Sequence, residues 1–361
     1  MKIALVHDFL VRLGGAERVL KVFSNMFPDA PIYTLLYDKE KIGHVFPEHK
    51  IRTSHIQSYP KFLRKRQKYL LPFFPEAVER FDFSGFDLVL SSSSAFAHGV
   101  LTPVSTRHIC YCHSPMRYAY DWYHEYKKEQ QLGFIRSLMA NYLVHKVRIW
   151  DQSAKDRPDQ YIANSKTVQQ RLQKYYRIDA PIIYPPVDVD GFRVRKSHEN
   201  YFLIVSTLTP YKKIDLAIRF FNTLNDRLII IGDGSQRRYL ESIANENIEF
   251  TGFKPDDLVK EYFQNCRAFI FPGEEDFGIA PVEAMACGKP VIAFSRGGVA
   301  ESVIEGVTGE FFHSPTIESM KEAFVRFLEN EQHYEADRIR SQAEKFKSEN
   351  FRKEILGILN V

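Results

Sequence analysis

Short runs of apolar residues recur along the chain, and between them lie longer stretches in which apolar positions return every three or four residues. Short runs rich in Val, Ile, Leu and Phe read as buried strands, and the longer periodic stretches read as amphipathic helices. Their alternation builds βαβ units on parallel sheets. In the first half, strands are expected at Lys2–His7, Asp87–Ser91, His108–His113 and Gln160–Asn164, with helices such as Ala16–Phe27 between them. In the second half they are expected at Tyr201–Thr207, Arg227–Ile231, Ile248–Thr251, Ala268–Phe271 and Pro290–Phe294. Between the two sets stands Ile183-Tyr184-Pro185-Pro186-Val187-Asp188, where paired prolines forbid a continuing helix and favour an extended connector. The expected fold class is therefore α/β, with two Rossmann-like domains facing each other across a cleft and a boundary near residue 188.

Length agrees with two cores, since 361 residues exceed the usual span of one domain. With 44% hydrophobic and 26% charged residues, the chain has the balance of a globular protein rather than a disordered or fibrous one. No run approaches the roughly 18 apolar residues that a membrane-spanning helix needs. The first residues lack the basic and apolar regions of a secretory leader, so a cytoplasmic location is expected. Cys110, Cys112, Cys266 and Cys287 are too few and scattered for a disulfide framework and read as buried thiols.

The net charge of +4 hides an asymmetry. Residues 1–190 hold 27 Lys and Arg against 19 Asp and Glu, whereas residues 191–361 hold 22 against 26. The first half is thus the one suited to an anionic surface. Its most basic stretch is Lys61-Phe62-Leu63-Arg64-Lys65-Arg66-Gln67-Lys68-Tyr69, followed by Leu70-Leu71-Pro72-Phe73-Phe74. Cations interleaved with aromatic and aliphatic residues suit attraction to anionic lipid, although a solvated face is an equal reading. Nucleic acid is not expected, because no recognisable nucleic-acid module is present and the second half is acidic.

The strongest chemical signal is Glu275-Asp276-Phe277-Gly278-Ile279-Ala280-Pro281-Val282-Glu283, which follows the strand ending at Phe271 and continues to Gly288-Lys289-Pro290. Pro281 suits a helix's first turn and Gly288 its C-terminal stop. Glu275 then falls in the loop at the strand's C-terminal edge, where open α/β sheets bind ligands, and Glu283 falls on the helix. Upstream, Ser206-Thr207-Leu208-Thr209-Pro210-Tyr211-Lys212-Lys213 leaves another strand and opens a helical pattern. His7-Asp8-Phe9 through Gly14-Gly15-Ala16-Glu17 does the same in the first half, and Tyr111-Cys112-His113-Ser114-Pro115-Met116-Arg117 ends a further strand. Gly252 and Phe253 follow one more.

These segments together resemble glycosyltransferase family 4, over nearly the whole chain, and most closely its polysaccharide-building mannosyltransferases. The resemblance implies a retaining, metal-independent transferase of two Rossmann-like domains that moves a sugar, favoured as mannose from GDP-mannose, to a lipid-linked or glycan acceptor. It implies that Glu275 contacts the donor sugar and Glu283 the ribose, and that Asp276, Phe277, Gly278 and Ile279 belong to the same donor loop. Lys212, with Ser206, Thr207 and Lys213, matches the phosphate-binding turn, and Gly14 and Gly15 match the glycine loop over the donor phosphates. Gly252 and Phe253 match a loop near the nucleoside. His113 matches a histidine beside the reacting sugar, with Arg117 toward the acceptor. Lys61, Arg64, Lys65, Arg66 and Lys68 are assigned to the membrane face.

Thr207 departs from the pattern, standing where the family has an arginine. One cation on the leaving diphosphate is therefore missing, and a planar guanidinium grips phosphate in two places as an ammonium does not. Asp188-Val189-Asp190 has metal-binding spacing but follows the linker prolines, and no metal or other cofactor is expected. Domain 1–188 is expected to face acceptor and membrane, domain 189–345 to hold the donor, and residues 346–361 to pack back on the first. A UDP-sugar donor, a nucleotide-sugar epimerase and a non-catalytic sugar-nucleotide-binding relative are the alternative readings.

Overall fold

A computed structural model of the chain describes residues 1–123 and 133–359. The chain divides into two compact units, Met1–Tyr184 and Pro185–Val361. Each holds one six-stranded sheet, and every strand pair in both sheets is parallel.

The first sheet comprises β1 (Ile3–Leu10), β2 (Ile32–Tyr37), β3 (Ile51–Thr53), β4 (Leu88–Ser93), β5 (Arg107–Cys112) and β6 (Gln160–Ala163). The second comprises β7 (Tyr201–Val205), β8 (Arg227–Ile231), β9 (Ile248–Gly252), β10 (Ala268–Phe271), β11 (Val291–Phe294) and β12 (Gly309–Phe312). All nine strands expected from the apolar runs are present, with ends displaced by a few residues. The periodicity did not single out β2, β3 and β12. Two of these are short strands at sheet edges, three and four residues long, and such short runs carry too few positions for a period to show.

The strand orders are β3-β2-β1-β4-β5-β6 and β12-β11-β10-β7-β8-β9. In each sheet the chain winds outward in one direction and then returns to wind in the other, so the order reverses once: between β1 and β4, and between β7 and β10. A reversal leaves a crevice at the carboxyl ends of the two strands, because the loops following them part to opposite faces of the sheet.

Helices cover the sheets through apolar faces. Helix Ile214–Phe221 buries Leu216, Ala217, Phe220 and Phe221 against helix Ile317–Asn330, which contributes Met320, Phe324 and Phe327. Phe202 of β7 meets this aromatic group, with its ring centroid 5.1 Å from that of Phe324 and 5.3 Å from that of Phe221. Each such leucine, methionine or phenylalanine side chain withdrawn from water contributes about 2 kcal/mol. In the first unit Val6, Leu36, Phe74, Phe96 and Val147 form the corresponding core. No helix among the described residues is long and apolar enough to cross a membrane.

Candidate active-site residues

Lys212 and Glu275 meet at the reversal in the second unit. Lys212 ends a short turn, Pro210–Lys212, that follows β7, and Glu275 lies four residues beyond β10. Their ammonium and carboxylate form an ion pair with the Lys212 side chain 11% exposed and Glu275 26% exposed. Two strands far apart in sequence deliver these charges to neighbouring loops, and that placement is what the topology contributes.

Two glycines let the loops close this tightly. A Cβ on Gly273 would stand 2.8 Å from Cα of Lys212, so only glycine allows the chain leaving β10 to run against the lysine's backbone. Gly297, at φ +76°, is the second, and its built Cβ would come within 2.1 Å of the Glu275 carbonyl oxygen. The next amide, Gly298 N–H, donates to that carbonyl at 2.9 Å. The segment after β11 thereby holds the acidic loop from behind.

Gly278 caps helix Ile279–Ala286, and Pro281 stands in its first turn. That turn carries no acidic residue. Glu283 is buried on the same helix, and Phe277 is buried with its ring 5.3 Å from Phe346. Ser206 lines a small hollow with Lys212 and Gly273. Lys213 instead lines a separate cavity of about 350 Å³ with Arg219 and Thr316. Thr207 is exposed beside the end of β7. Gly252 ends β9 and Phe253 follows it 82% exposed. Arg237, which sequence reasoning passed over, lies over Gly252 and is held by Asp233 and Glu241.

Asp188 and Asp190 are engaged by cations, Asp188 by Lys260 at 3.6 Å and Asp190 by Lys347 at 3.0 Å and Arg340 at 3.7 Å. The described residues contain no group of three or more His, Cys, Asp or Glu side chains arranged to hold a metal ion.

The reversal in the first unit gathers a different set. In β1, His7 pairs in register with Ser92 of β4, and His113 follows the last residue of β5. Ser92 Oγ stands 2.7 Å from His113 Nε2 and 3.1 Å from His7 Nδ1. His113 is further fixed through its backbone, its amide donating to the Ser93 carbonyl at 2.8 Å and its carbonyl accepting from Asn164 Nδ2 at 3.0 Å. Burial, and then the neighbouring His7, push the His113 imidazole down to about 3, so it is neutral at ordinary pH. Gly14 caps helix Gly15–Met26, and its amide donates to Glu17 at 2.8 Å. Burial pushes the Glu17 carboxyl up, but His7 and the Gly14 amide outweigh it and hold the group below its ordinary value.

Asp8, next to His7, accepts from the amides of Ser94, Ala95, Phe96 and Ala97 at 2.5 to 3.0 Å. A carboxylate taking four amides ties the loop after β4 to the end of β1. Sequence reasoning quoted His7 and Asp8 only as the start of a glycine loop and did not single out Ser92. The available signal was the run Ser91-Ser92-Ser93 closing an apolar strand, since buried hydroxyls in a strand need partners.

In the basic stretch of the first unit, short turns at Lys61–Arg64, Gln67–Tyr69 and Leu71–Phe73 replace a continuous helix. Leu70 and Phe74 point into the core while Phe62, Tyr69 and Phe73 are 65%, 55% and 47% exposed. Lys61 pairs with Glu40 and Arg64 donates to the Tyr59 carbonyl, whereas Lys65, Arg66 and Lys68 are exposed. Arg117 lies over the Trp122 ring, 4.5 Å from its centroid.

The chain is similar to known proteins over most of its length. A profile described as glycosyl transferases group 1 matches residues 190–346, and one described as Glycosyltransferase Family 4 matches residues 13–190. An uncharacterized glycosyltransferase of Methanocaldococcus jannaschii is 24% identical over 343 residues, which is 92% of this chain and 90% of the relative. The O-antigen chain mannosyltransferase of Salmonella typhimurium is 29% identical over 140 residues, or 36% of this chain and 40% of its own length. Among solved structures, the Anabaena protein HepE in complex with UDP-glucose superposes with a TM-score of 0.74 at 18% identity, covering 100% of both chains. WaaG, a glycosyltransferase of lipopolysaccharide biosynthesis, gives 0.70 at 16% identity, covering 99% of each. The two profiles adjoin and together span residues 13–346, and the chain accordingly belongs to the family 4 glycosyltransferases.

Proposed function

We propose that the protein is a retaining, metal-independent hexosyltransferase that moves mannose from GDP-mannose to a lipid-linked or glycan acceptor in cell-surface polysaccharide synthesis, at the cytoplasmic face of a membrane. The observation that carries this reading is the Lys212–Glu275 pair at the reversal between β7 and β10. Lys212 would stabilise the diphosphate as it leaves, together with the start of helix Ile279–Ala286, and Glu275 would orient the sugar. Each charge holds the other in place, so a donor that inserts its phosphate and sugar meets groups already oriented. Glu283 on the same helix would take the ribose. Asp188 and Asp190, paired with Lys260, Lys347 and Arg340, are read as linker carboxylates and not as cation ligands.

Mannose is favoured by relatives named as mannosyltransferases, that of Salmonella typhimurium among them. A UDP-sugar donor is the second reading, supported by the UDP-glucose bound in the Anabaena structure. The membrane assignment rests on exposed Phe62, Tyr69 and Phe73 among exposed cations. Helix Phe134–Ala154, which packs against Leu71–Phe73, adds exposed Leu138, Met139 and Tyr142.

The purified protein incubated with radiolabelled GDP-mannose, UDP-glucose or UDP-galactose and a membrane lipid extract tests the proposal. Transfer from GDP-mannose that survives a chelator is expected. Transfer only from a UDP-sugar replaces the donor, chelator-sensitive transfer removes the metal-free mechanism, and conversion of free donor without acceptor replaces the transferase by an epimerase.

A further inference from the structure

Four consecutive amides after β4 converge on one carboxylate. Asp8 Oδ2 accepts from the amides of Ser94 at 2.5 Å and Ala95 at 3.0 Å, and Oδ1 accepts from those of Phe96 at 2.6 Å and Ala97 at 2.7 Å. Each oxygen takes two donors, which fills the lone pairs that a carboxylate presents. Asp8 is 4% exposed, and no cation pairs with it among the described residues. At contact distance its charge is met by backbone amides alone.

The place of this cradle matters as much as its chemistry. Asp8 lies near the end of β1 and the four amides follow β4, the two strands between which the order of the first sheet reverses. The crevice at such a reversal is where open α/β sheets take their ligands, and successive amides turned toward one point hold phosphates and other anions. In the first unit those amides already have a ligand, and the chain supplies it. Thr34 Oγ1 donates to the Asp8 carbonyl at 3.3 Å and ties down the backbone that carries this ligand. The loop so fastened leads into the core. Phe96 packs on Trp150 with ring centroids 5.6 Å apart, and His98 Nε2 lies 3.3 Å from Asp151 Oδ1 on the same helix, Phe134–Ala154.

We propose that Ser94–Ala97 is an anion-binding cradle whose resident ligand is the Asp8 carboxylate, and that this internal ligand positions the loop and closes the reversal of the first unit to free anions. An asparagine there would fill the same space but accept through one oxygen, leaving two of the four donors facing its amide hydrogens.

Removing the side chain empties the cradle, and a small carboxylate added to the solution refills it. The full chain is melted while Trp122 and Trp150, both in the first unit, report unfolding. Asp8→Ala should melt at least about 5 °C below the unsubstituted protein, because the amides lose their acceptor. Sodium formate, compared with sodium chloride at equal ionic strength, should return at least half of that loss. Formate should leave the unsubstituted protein and Asp8→Asn unmoved, since in both the space is taken. Hydrogen exchange of residues 94–97 should quicken about tenfold in Asp8→Ala and slow again in formate. An Asp8→Ala chain that folds only in formate supports the proposal as well. A folded Asp8→Ala that formate does not stabilise overturns it, and so does equal stabilisation of the unsubstituted protein. If Asp8→Ala folds in neither salt, Asp8→Asn decides: faster exchange at 94–97 supports the cradle, and exchange as slow as in the unsubstituted protein overturns it. None of these measurements needs a sugar donor, so their outcome is independent of the function proposed above.

Discussion

The two units solve the same topological problem with different side chains. In the second, the reversal holds a charged pair, Lys212 and Glu275, partly open to solvent. The first places a buried chain of ring nitrogens and a hydroxyl at its reversal, with His7 3% and His113 8% exposed, and burial keeps His113 uncharged. A parallel sheet with one reversal thus provides a location and not a chemistry. What occupies the crevice depends on the few residues just past the strand ends. A charged pair suits a ligand that brings its own charge, such as a diphosphate.

The sharpest way to break this contrast is to remove the charge. Lys212→Ala should lower kcat/KM for sugar transfer by about 10³-fold, the scale of losing a donor at developing negative charge. A loss below tenfold would place the diphosphate elsewhere.

Acid should distinguish the units next. His113 and His108 are both pushed down to about 3, by burial and then by a neighbouring histidine. Unfolded histidine titrates near 6.5. Between these values the unfolded chain takes up protons that the folded one refuses, so stability is fully present above about pH 6.5 and falls as pH drops toward 3. The expected loss between pH 6.5 and 5 is about 2 kcal/mol for each histidine. Both tryptophans, Trp122 and Trp150, belong to the first unit, so denaturant titrations followed by their fluorescence report on it. His108→Gln should roughly halve the acid sensitivity, and an unchanged slope would contradict neutral burial.

A smaller effect is expected at the basic face of the first unit. Phe62→Ser combined with Phe73→Ser should weaken sedimentation with vesicles containing anionic phospholipid about tenfold, without shifting the melting temperature, since both rings are exposed. Equal binding by the double variant would leave the face merely solvated.

The smallest prediction sharpens the comparison. Thr207→Arg adds a cation at the charged reversal, beside the end of β7, and should tighten binding of GDP several-fold in calorimetry. No gain would mean that the guanidinium cannot reach the phosphate from that position.

Much of the second unit was legible beforehand because its chemistry is local in sequence. Glu275, Gly278, Pro281 and Glu283 lie within one strand–loop–helix segment, and the helix start follows from Pro281 and the stop from Gly288. The first unit was less legible because its chemistry is not local. His7 and Ser92 stand on two strands and His113 just past a third, with separations of 85 and 21 residues along the chain. Only His113 drew attention, through the family segment around it. The roles of Gly273 and Gly297 were equally hidden, since the atoms a Cβ would strike belong to Lys212 and Glu275, 61 and 22 residues away along the chain.

By itself the sequence determined the α/β class, nine of the strands and the acidic loop, because apolar period and helix punctuation are properties of neighbouring residues. Which strands lie side by side was decided by the tertiary structure alone, and with it that Lys212 would meet Glu275 and that Ser92 would bridge two histidines. Strand order is set by crossover packing over the whole sheet, and no short window of residues contains it.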